Sequence, residues 1–156
     1  MTKTNVIRLL EQAGIPFRTA EYEYDEADLS GGHAADSIGM PREQVFKTLV
    51  TRASKGGIYV FCIPVCDELD LKKAAKACGE KSIEMLHVKE LLGITGYIRG
   101  GCSPIGMKKK FPTFIDETAI LFDEIAVSAG MRGEQVILAP DALADYINAT
   151  LIELAV

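Results

Sequence analysis

The sequence predicts an α+β domain with a mixed β-sheet. The chain has 156 residues, a usual size for one domain and enough to bury a core. Segments with a helical period are interspersed with short β-rich segments, and they do not follow a strict strand–helix–strand repeat. Two β-rich segments are separated only by Ala-Ser-Lys-Gly-Gly, which indicates an antiparallel hairpin. No linker or internal repeat divides the chain, so we expect residues 1–156 to form a single domain.

The first half of the chain supplies this hairpin and two helices. Val6, Ile7 and Leu10 recur on one helical face, and Gly14 follows them as a stop signal. In order, the pattern predicts a helix over 4–13, a strand over 15–22, an acidic loop over 21–28, a loop with a short helix ending at Gly39, and strands over 45–52 and 58–64.

The second half begins with a capped helix. Asp70 is a suitable N-cap, because its carboxylate can accept hydrogen bonds from main-chain N–H groups of the first helical turn. The helix that follows has alanines on one face and lysines on the other, and Gly79 ends it. The pattern then predicts a strand over 83–85, a helix over 88–92 closed by Gly93, strands over 96–99, 113–115, 125–128 and 135–139, and a C-terminal helix from Pro140 toward Glu153.

The charge of the chain is unevenly distributed. The net charge is −5, but residues 69–110 contain nine of the 17 Lys and Arg and only four of the 22 Asp and Glu. That segment therefore carries +5 and the remainder carries −10. A solvated lysine-rich surface is one interpretation. The other is a local phosphate-binding surface on a protein that otherwise repels polyanions.

The composition excludes several classes of function. No apolar run reaches the ~20 residues that span a bilayer, and the N-terminus lacks the apolar core of a signal peptide, so we expect a cytoplasmic protein without a membrane partner. Four cysteines form no C-x-x-C pair and there are only two histidines, so we expect no metal site and no other cofactor. The chain also lacks the G-x-S-x-G, phosphate-loop and H-E-x-x-H motifs. An enzyme of this composition would depend on positioning and on main-chain donors.

The best local candidate for such donors is the Gly100-Gly101 pair. It follows a predicted strand, and two glycines let the main chain approach a ligand closely and turn N–H groups toward it. Pro104 and Gly106 bend the chain after the pair, and three lysines follow at 108–110. Such pairs are often only turns, so the residues alone predict a candidate anion site and no more.

Several segments together resemble a known family. They are GYIRGGCSPIGMKKKFPTFID at 96–116, EYEYD at 21–25, QVFKTLV at 44–50, LDLKKAAKACG at 69–79 and VSAGMRGEQVILA at 127–139. In this order and approximate spacing they resemble the YbaK/EbsC family of Cys-tRNA(Pro) deacylases, which is related to the inserted editing domain of bacterial prolyl-tRNA synthetases. The resemblance covers nearly the whole chain. It implies a partly barrel-like mixed sheet with surrounding helices.

The resemblance also implies site residues. Lys47 lies among apolar neighbours on a predicted strand, where a charge needs a reason, and it matches a lysine that holds the 3′ end of the tRNA. Gly100 and Gly101 match a loop whose main chain faces the scissile ester. The implied catalytic residues are Lys47, Gly100 and Gly101; the implied substrate-binding residues are Tyr22, Thr48, Ser103, Ser128 and Gln135; the lysines expected at the tRNA phosphates are Lys72, Lys73, Lys108 and Lys109.

Two positions depart from the family's pattern. Gln135 stands where an acidic residue is often found, and residues 30–33, Ser-Gly-Gly-His, occupy a loop that often carries an aromatic residue. A neutral amide donates and accepts hydrogen bonds but offers no charge to an amino group. Both departures therefore bear on amino-acid specificity more than on the class of reaction.

The implied reaction uses the chemistry of the substrate. The thiol of the misattached cysteine attacks its own ester, while the protein orients the substrate and the N–H groups of Gly100 and Gly101 stabilise the oxyanion. The expected partner is the acceptor end of an aminoacyl-tRNA and not DNA, with prolyl-tRNA synthetase as a candidate partner. Two alternatives stay open: Ala-tRNA(Pro) or another small aminoacyl-tRNA as the substrate, and a non-catalytic module that binds tRNA or a synthetase.

Overall fold

Two β-sheets and five α-helices make up the part of the chain that the computed structural model describes, residues 3–156. The strands are β1 Phe17–Glu21, β2 Phe46–Ala53, β3 Ile58–Pro64, β4 Ile83–Met85, β5 Thr113–Asp116, β6 Ile125–Ser128, β7 Glu134–Leu138 and β8 Thr150–Ile152. The α-helices are α1 Asn5–Ala13, α2 Gly31–Ile38, α3 Leu71–Cys78, α4 Val88–Thr95 and α5 Pro140–Ile147, and short 3₁₀ helices span Arg42–Gln44 and Glu117–Leu121.

The two sheets differ in their strand directions. The smaller sheet has the order β1-β7-β6 and is antiparallel throughout. The larger sheet has the order β4-β2-β3-β5-β8; its first three strands are antiparallel, and β3, β5 and β8 are parallel. A parallel bridge between Val45 and Ala126 joins the sheets. The α+β class with a mixed sheet is confirmed. No helix among residues 3–156 is long and apolar enough to cross a membrane.

The larger sheet is covered on both faces. On one face, α1 and α5 pack with both sheets around fully buried side chains such as Ile7, Ile115 and Leu143. On the other face, α3 packs through Ala74 against Phe61 and its neighbours. Burial on both faces explains why β3 reads as a nearly continuous apolar run.

The predicted helix boundaries agree with the observed caps of α1 and α3. The Thr4 hydroxyl oxygen accepts a hydrogen bond from the Ile7 N–H at 3.3 Å, which starts α1. The Asp70 carboxylate accepts the N–H groups of Lys72 and Lys73 at 3.0 and 3.1 Å, which starts α3 as predicted.

The strand predicted over 96–99 is wrong. Helix α4 continues through Gly93, where it was predicted to end, and stops at Gly96, whose φ of 88° lies in the left-handed region. A glycine inside a helix costs only about 1 kcal/mol, so it does not by itself end one. The Thr95 hydroxyl donates to the Leu91 carbonyl at 2.8 Å and accepts the Tyr97 N–H at 3.1 Å, which fixes the exit of the helix. Residues 97–112 then form an irregular loop.

The single C-terminal helix predicted to run toward Glu153 is also wrong. Helix α5 ends at Ile147, because Asn148 adopts a left-handed conformation with φ 54°. The chain then forms β8, which pairs in parallel with β5. Leu154 beyond it is fully buried, so burial against the sheet takes precedence over continuing the helix.

Candidate active site in the gap between the sheets

A pocket of about 370 Å³ opens where the two sheets separate. Val45, the residue before β2, bridges to Ala126 of β6, and beyond this bridge no further pairing joins the two strands among the described residues. Val45 and the first half of β2 form one wall, and residues of β6 and β7 form another. The start of α2, part of α4 and the 97–112 loop close the remaining sides. A pocket of this size accommodates a small organic ligand.

Half of the twelve residues predicted for the site line this pocket. Strand β2 contributes two of them, and the β6–β7 ladder places two more directly opposite each other. The other two come from the residue after β1 and from the 97–112 loop. They are Tyr22, Lys47, Thr48, Gly100, Ser128 and Gln135.

The two loop glycines have different positions. Gly100 lines the pocket, and its N–H has no hydrogen-bond partner among residues 3–156. The Gly101 N–H donates to the Ile98 carbonyl at 3.0 Å. A Cβ on Gly101 would lie 3.1 Å from the main chain of Met131 and Arg132, so this glycine permits close contact between two loops. The prediction that the Gly101 N–H faces the ester is therefore corrected, and Gly100 is the loop donor that remains.

Ser103 is likewise displaced from its predicted role. It is fully buried beneath the loop and does not line the pocket. Its hydroxyl oxygen accepts the Ile105 N–H at 3.3 Å, and the Tyr97 hydroxyl donates to the Ile105 carbonyl. Ser103 therefore shapes the turn that presents Gly100, and it is not placed to bind a substrate.

Both charged residues among the described residues that line the pocket are cationic. Lys47 is half-buried, and within residues 3–156 its ammonium has neither a carboxylate nor a carbonyl partner. The second cation is Arg99, which sequence reasoning did not select for the site. The sequence did contain a signal for Arg99, because this cation directly precedes Gly100 in the loop. Two cations without a lining carboxylate favour a ligand that carries negative charge.

The wall opposite Lys47 is polar and neutral. Gln135 is only 6% exposed, and its Oε1 is buried without a hydrogen-bond partner in the described part of the chain. Next to it, the Ser128 hydroxyl oxygen accepts the Gly130 N–H at 3.1 Å, so its own proton is free to donate. A buried amide oxygen without a partner costs free energy unless a ligand satisfies it. This wall therefore offers hydrogen bonds to a polar group of a small ligand.

A family model for the aminoacyl-tRNA editing domain matches residues 30–146, three quarters of the chain and most of the pocket. The chain belongs to the aminoacyl-tRNA editing domain family. The resemblance to YbaK and EbsC proteins is thereby confirmed.

Two curated relatives refine this placement within the editing domains. One, EbsC from Enterococcus faecalis, bears the provisional name of a Cys-tRNA(Pro)/Cys-tRNA(Cys) deacylase; it is 50% identical over 97% of this chain and 93% of its own length. The other is the multifunctional Ser/Thr-tRNA deacylase ProXp-y from Escherichia coli, 30% identical over 99% of this chain and 91% of its own length.

Solved structures support the fold of this editing domain. A crystal structure provisionally described as a trans-editing enzyme for prolyl-tRNA synthetase superposes with a TM-score of 0.84 and 24% identity, covering 99% of both chains. A hypothetical protein with 18% identity superposes with a TM-score of 0.89, covering 98% of this chain and all of its own. At these identities the likeness shows the fold alone.

The two thiols at the pocket of this editing domain, Cys62 and Cys102, are poor nucleophiles. Cys102 lines the pocket, and burial raises its pKa to about 12. Burial also raises the pKa of Cys62 to about 12; its Sγ lies 3.8 Å from the Thr48 hydroxyl behind the pocket wall. Both thiols are therefore protonated near neutral pH, and the attacking group in catalysis is the thiolate. Cys102 is therefore a packing residue of the pocket wall.

The four lysines predicted to contact phosphates lie outside the pocket. The Lys73 ammonium donates to the Ala155 carbonyl at 2.8 Å and pairs with Glu153 at 3.3 Å, so it anchors the C-terminal segment. The Lys108 ammonium donates to the Gly93 carbonyl at 3.3 Å near the end of α4. Phosphate contacts by Lys72, Lys73, Lys108 and Lys109 stay a prediction.

Proposed function

We propose that this editing domain is a trans-acting deacylase that cleaves the ester of mischarged Cys-tRNA(Pro). The observation that carries the proposal is one pocket in which Lys47 and the unpaired Gly100 N–H lie together, with no histidine or carboxylate among the described residues of its lining. Cations bind the phosphates of the acceptor end, and the N–H stabilises an oxyanion. The 50% identity to a protein named for this activity supports the choice of cysteine.

The chemistry follows from what the pocket lacks. Since both nearby thiols have a pKa raised to about 12 by burial, the substrate supplies the nucleophile. A free thiol has a pKa of about 8.5 and is far more readily ionised than a hydroxyl. Its sulfur bonds to the ester carbonyl carbon, the bond from that carbon to the ribose oxygen breaks, and this oxygen takes up the thiol proton. Water then opens the resulting thiolactone to free cysteine.

A second candidate function is deacylation of tRNA charged with serine or threonine. The observation that favours it is the neutral Gln135 and Ser128 wall, which can hydrogen-bond a hydroxyl as readily as a thiol. The relative ProXp-y, 30% identical, is named for that activity. Alanine is a further competitor, because a small pocket discriminates one group of this size by only ~1–3 kcal/mol.

The partners and location follow from this proposal. The substrate is an aminoacyl-tRNA, with prolyl-tRNA synthetase as a candidate partner that releases the mischarged product, and the site of action is the cytoplasm. A non-catalytic module that binds tRNA or a synthetase is the alternative of another class. The retention of Lys47 and Gly100 in one pocket supports the enzyme.

The test is deacylation of a panel of purified tRNAs charged with Cys, Ala, Ser or Thr, each compared with its spontaneous hydrolysis. We expect Cys-tRNA(Pro) to be hydrolysed fastest. Faster hydrolysis of the Ser or Thr forms would support the second candidate and would remove thiol attack from the mechanism. Hydrolysis of none of them, with tRNA binding retained, would support the non-catalytic module.

A further inference from the structure

The main chain of β2 presents an unpaired edge to the pocket. The Val65 N–H donates to the Val45 carbonyl at 2.8 Å, and the Ala53 N–H donates to the Gly57 carbonyl at 2.8 Å. Along an antiparallel pair, only alternate residues exchange hydrogen bonds with the partner strand. With the observed register, the odd-numbered residues of β2 bond to β3, and the even-numbered residues turn their N–H and C=O groups to the other edge.

Thr48 lies at the open part of that edge. On one side of it, the Val50 carbonyl accepts the Leu86 N–H at 3.0 Å, just before the pairing with β4. On the other side, Val45 bridges to Ala126. Between these contacts, the Thr48 N–H and C=O have no partner among residues 3–156, and Thr48 lines the pocket.

The described lining of the pocket offers no negative charge to an amino group. The described lining contains two cations and no carboxylate, and Gln135 is a neutral amide. The α-amino group of an aminoacyl ester must therefore find a neutral acceptor. A main-chain carbonyl without a partner at the pocket wall is such an acceptor.

We propose that Thr48 binds the aminoacyl group through its main chain, as if that group were a one-residue strand added to β2. The Thr48 C=O accepts a hydrogen bond from the α-amino group, and the Thr48 N–H donates to the ester carbonyl. This is the exchange of two bonds that one hydrogen-bonded residue pair makes in an antiparallel sheet. The inference rests on the proposed deacylase function and names a second oxyanion donor beside Gly100.

This arrangement separates two tasks. The main chain of Thr48 recognises the amino group and the ester, which every aminoacyl-tRNA has. The amino-acid side chain is then left to the Gln135 and Ser128 wall and to the walls of the pocket. The substitution of the usual acidic residue by Gln135 is compatible with binding, because the amino group does not depend on that position.

The direct test is a binding measurement that requires no turnover. The probe is the trinucleotide CCA with cysteine joined by an amide to its 3′ end, titrated into ¹⁵N-labelled wild-type protein. We expect the Thr48 amide signal to move downfield and its hydrogen exchange to slow. An analogue without the α-amino group should bind roughly 10-fold more weakly, as expected for the loss of one hydrogen bond. A Thr48 amide that does not respond while other pocket amides do would overturn the inference.

A variant pair tests the same contact in catalysis. Thr48→Pro removes an N–H that the β2–β3 ladder does not use, a position where a strand tolerates proline. Thr48→Val keeps the N–H and removes only the hydroxyl. We expect the proline variant to lose roughly 10²–10³ in kcat/KM, as for one oxyanion donor, and the valine variant to lose much less.

The outcomes distinguish the two proposals. Equal losses in the two variants, with circular dichroism showing both folded, would overturn the main-chain contact. If the proline variant does not fold, the amide titration decides. A wild-type protein that hydrolyses no aminoacyl-tRNA but shows the Thr48 response would refute the proposed function and leave the binding mode in place. A wild-type protein that does not bind the probe would overturn both.

Discussion

Replacing Lys47 by methionine separates its charge from its packing. The substitution keeps most of the apolar stem and removes the ammonium. Within the described residues that ammonium has no hydrogen-bonded or ion-paired partner, so no buried group is left unsatisfied. We therefore expect the free energy of unfolding to change by less than about 0.5 kcal/mol, as for a surface substitution away from special features.

The expected effect on activity is much larger. One hydrogen bond to a charged group contributes about 1.5–3 kcal/mol. If Lys47 holds a phosphate of the acceptor end, kcat/KM for Cys-tRNA(Pro) should fall roughly 10- to 150-fold, at 1.36 kcal/mol for each factor of ten. Single-turnover deacylation measures the rate, and urea unfolding measures the stability.

A matched control lies on the same hairpin. Lys55 is exposed in the turn between β2 and β3, outside the pocket. Lys55→Met should retain wild-type kcat/KM and stability. A Lys47→Met protein that is folded and as active as wild type would refute the assigned role, and equal losses in both variants would point to a non-specific charge effect.

Three further predictions concern the loop and its surroundings. If Lys108 and Lys109 bind phosphates, replacing them with alanine should make the plot of log affinity against log salt concentration less steep, by about 1 for each lysine–phosphate pair removed. The control Lys55→Ala should leave that slope unchanged. Filter binding at several salt concentrations measures the slope. Cys102→Ala should remain active, since burial raises the pKa of this thiol to about 12, and a folded but inactive variant in the deacylation assay would make Cys102 a nucleophile. Gly101→Ala should lower the free energy of unfolding by about 1–3 kcal/mol, because the added methyl meets main chain at 3.1 Å, and an unchanged urea midpoint would contradict this account of how the two loops pack.

The local elements follow mainly from nearby residues. The N-cap at Asp70, the stop at Gly14 and the hairpin were predicted because each depends on side chains within a few positions of the element. The family resemblance also comes from the sequence, because its motifs occur in order along the chain. It predicted that Lys47 and Gly100 share a site, although they lie far apart in the sequence.

One error arises from hydrogen bonds between residues close in the sequence, and the other from a contact between distant strands. Gly93 was predicted to end α4, but the hydrogen bonds of Thr95 move that end to Gly96. The C-terminal residues were predicted to be helical, but β5 has an edge that they pair with as β8. In both cases a specific hydrogen-bonded partner outweighs a propensity worth only about 1 kcal/mol.

The sequence by itself determined the fold class, the family and six of the residues that line the pocket. Only the tertiary structure decided which main-chain groups are free to act. Gly100 and Gly101 are adjacent and chemically identical. Within residues 3–156, however, the Gly100 N–H is free and the Gly101 N–H donates to the Ile98 carbonyl. The same holds for Thr48, whose N–H and C=O are unpaired there only because β4 and β6 leave a gap on that side of β2. Every residue except proline carries these groups, so their availability depends on which strand or loop lies beside them.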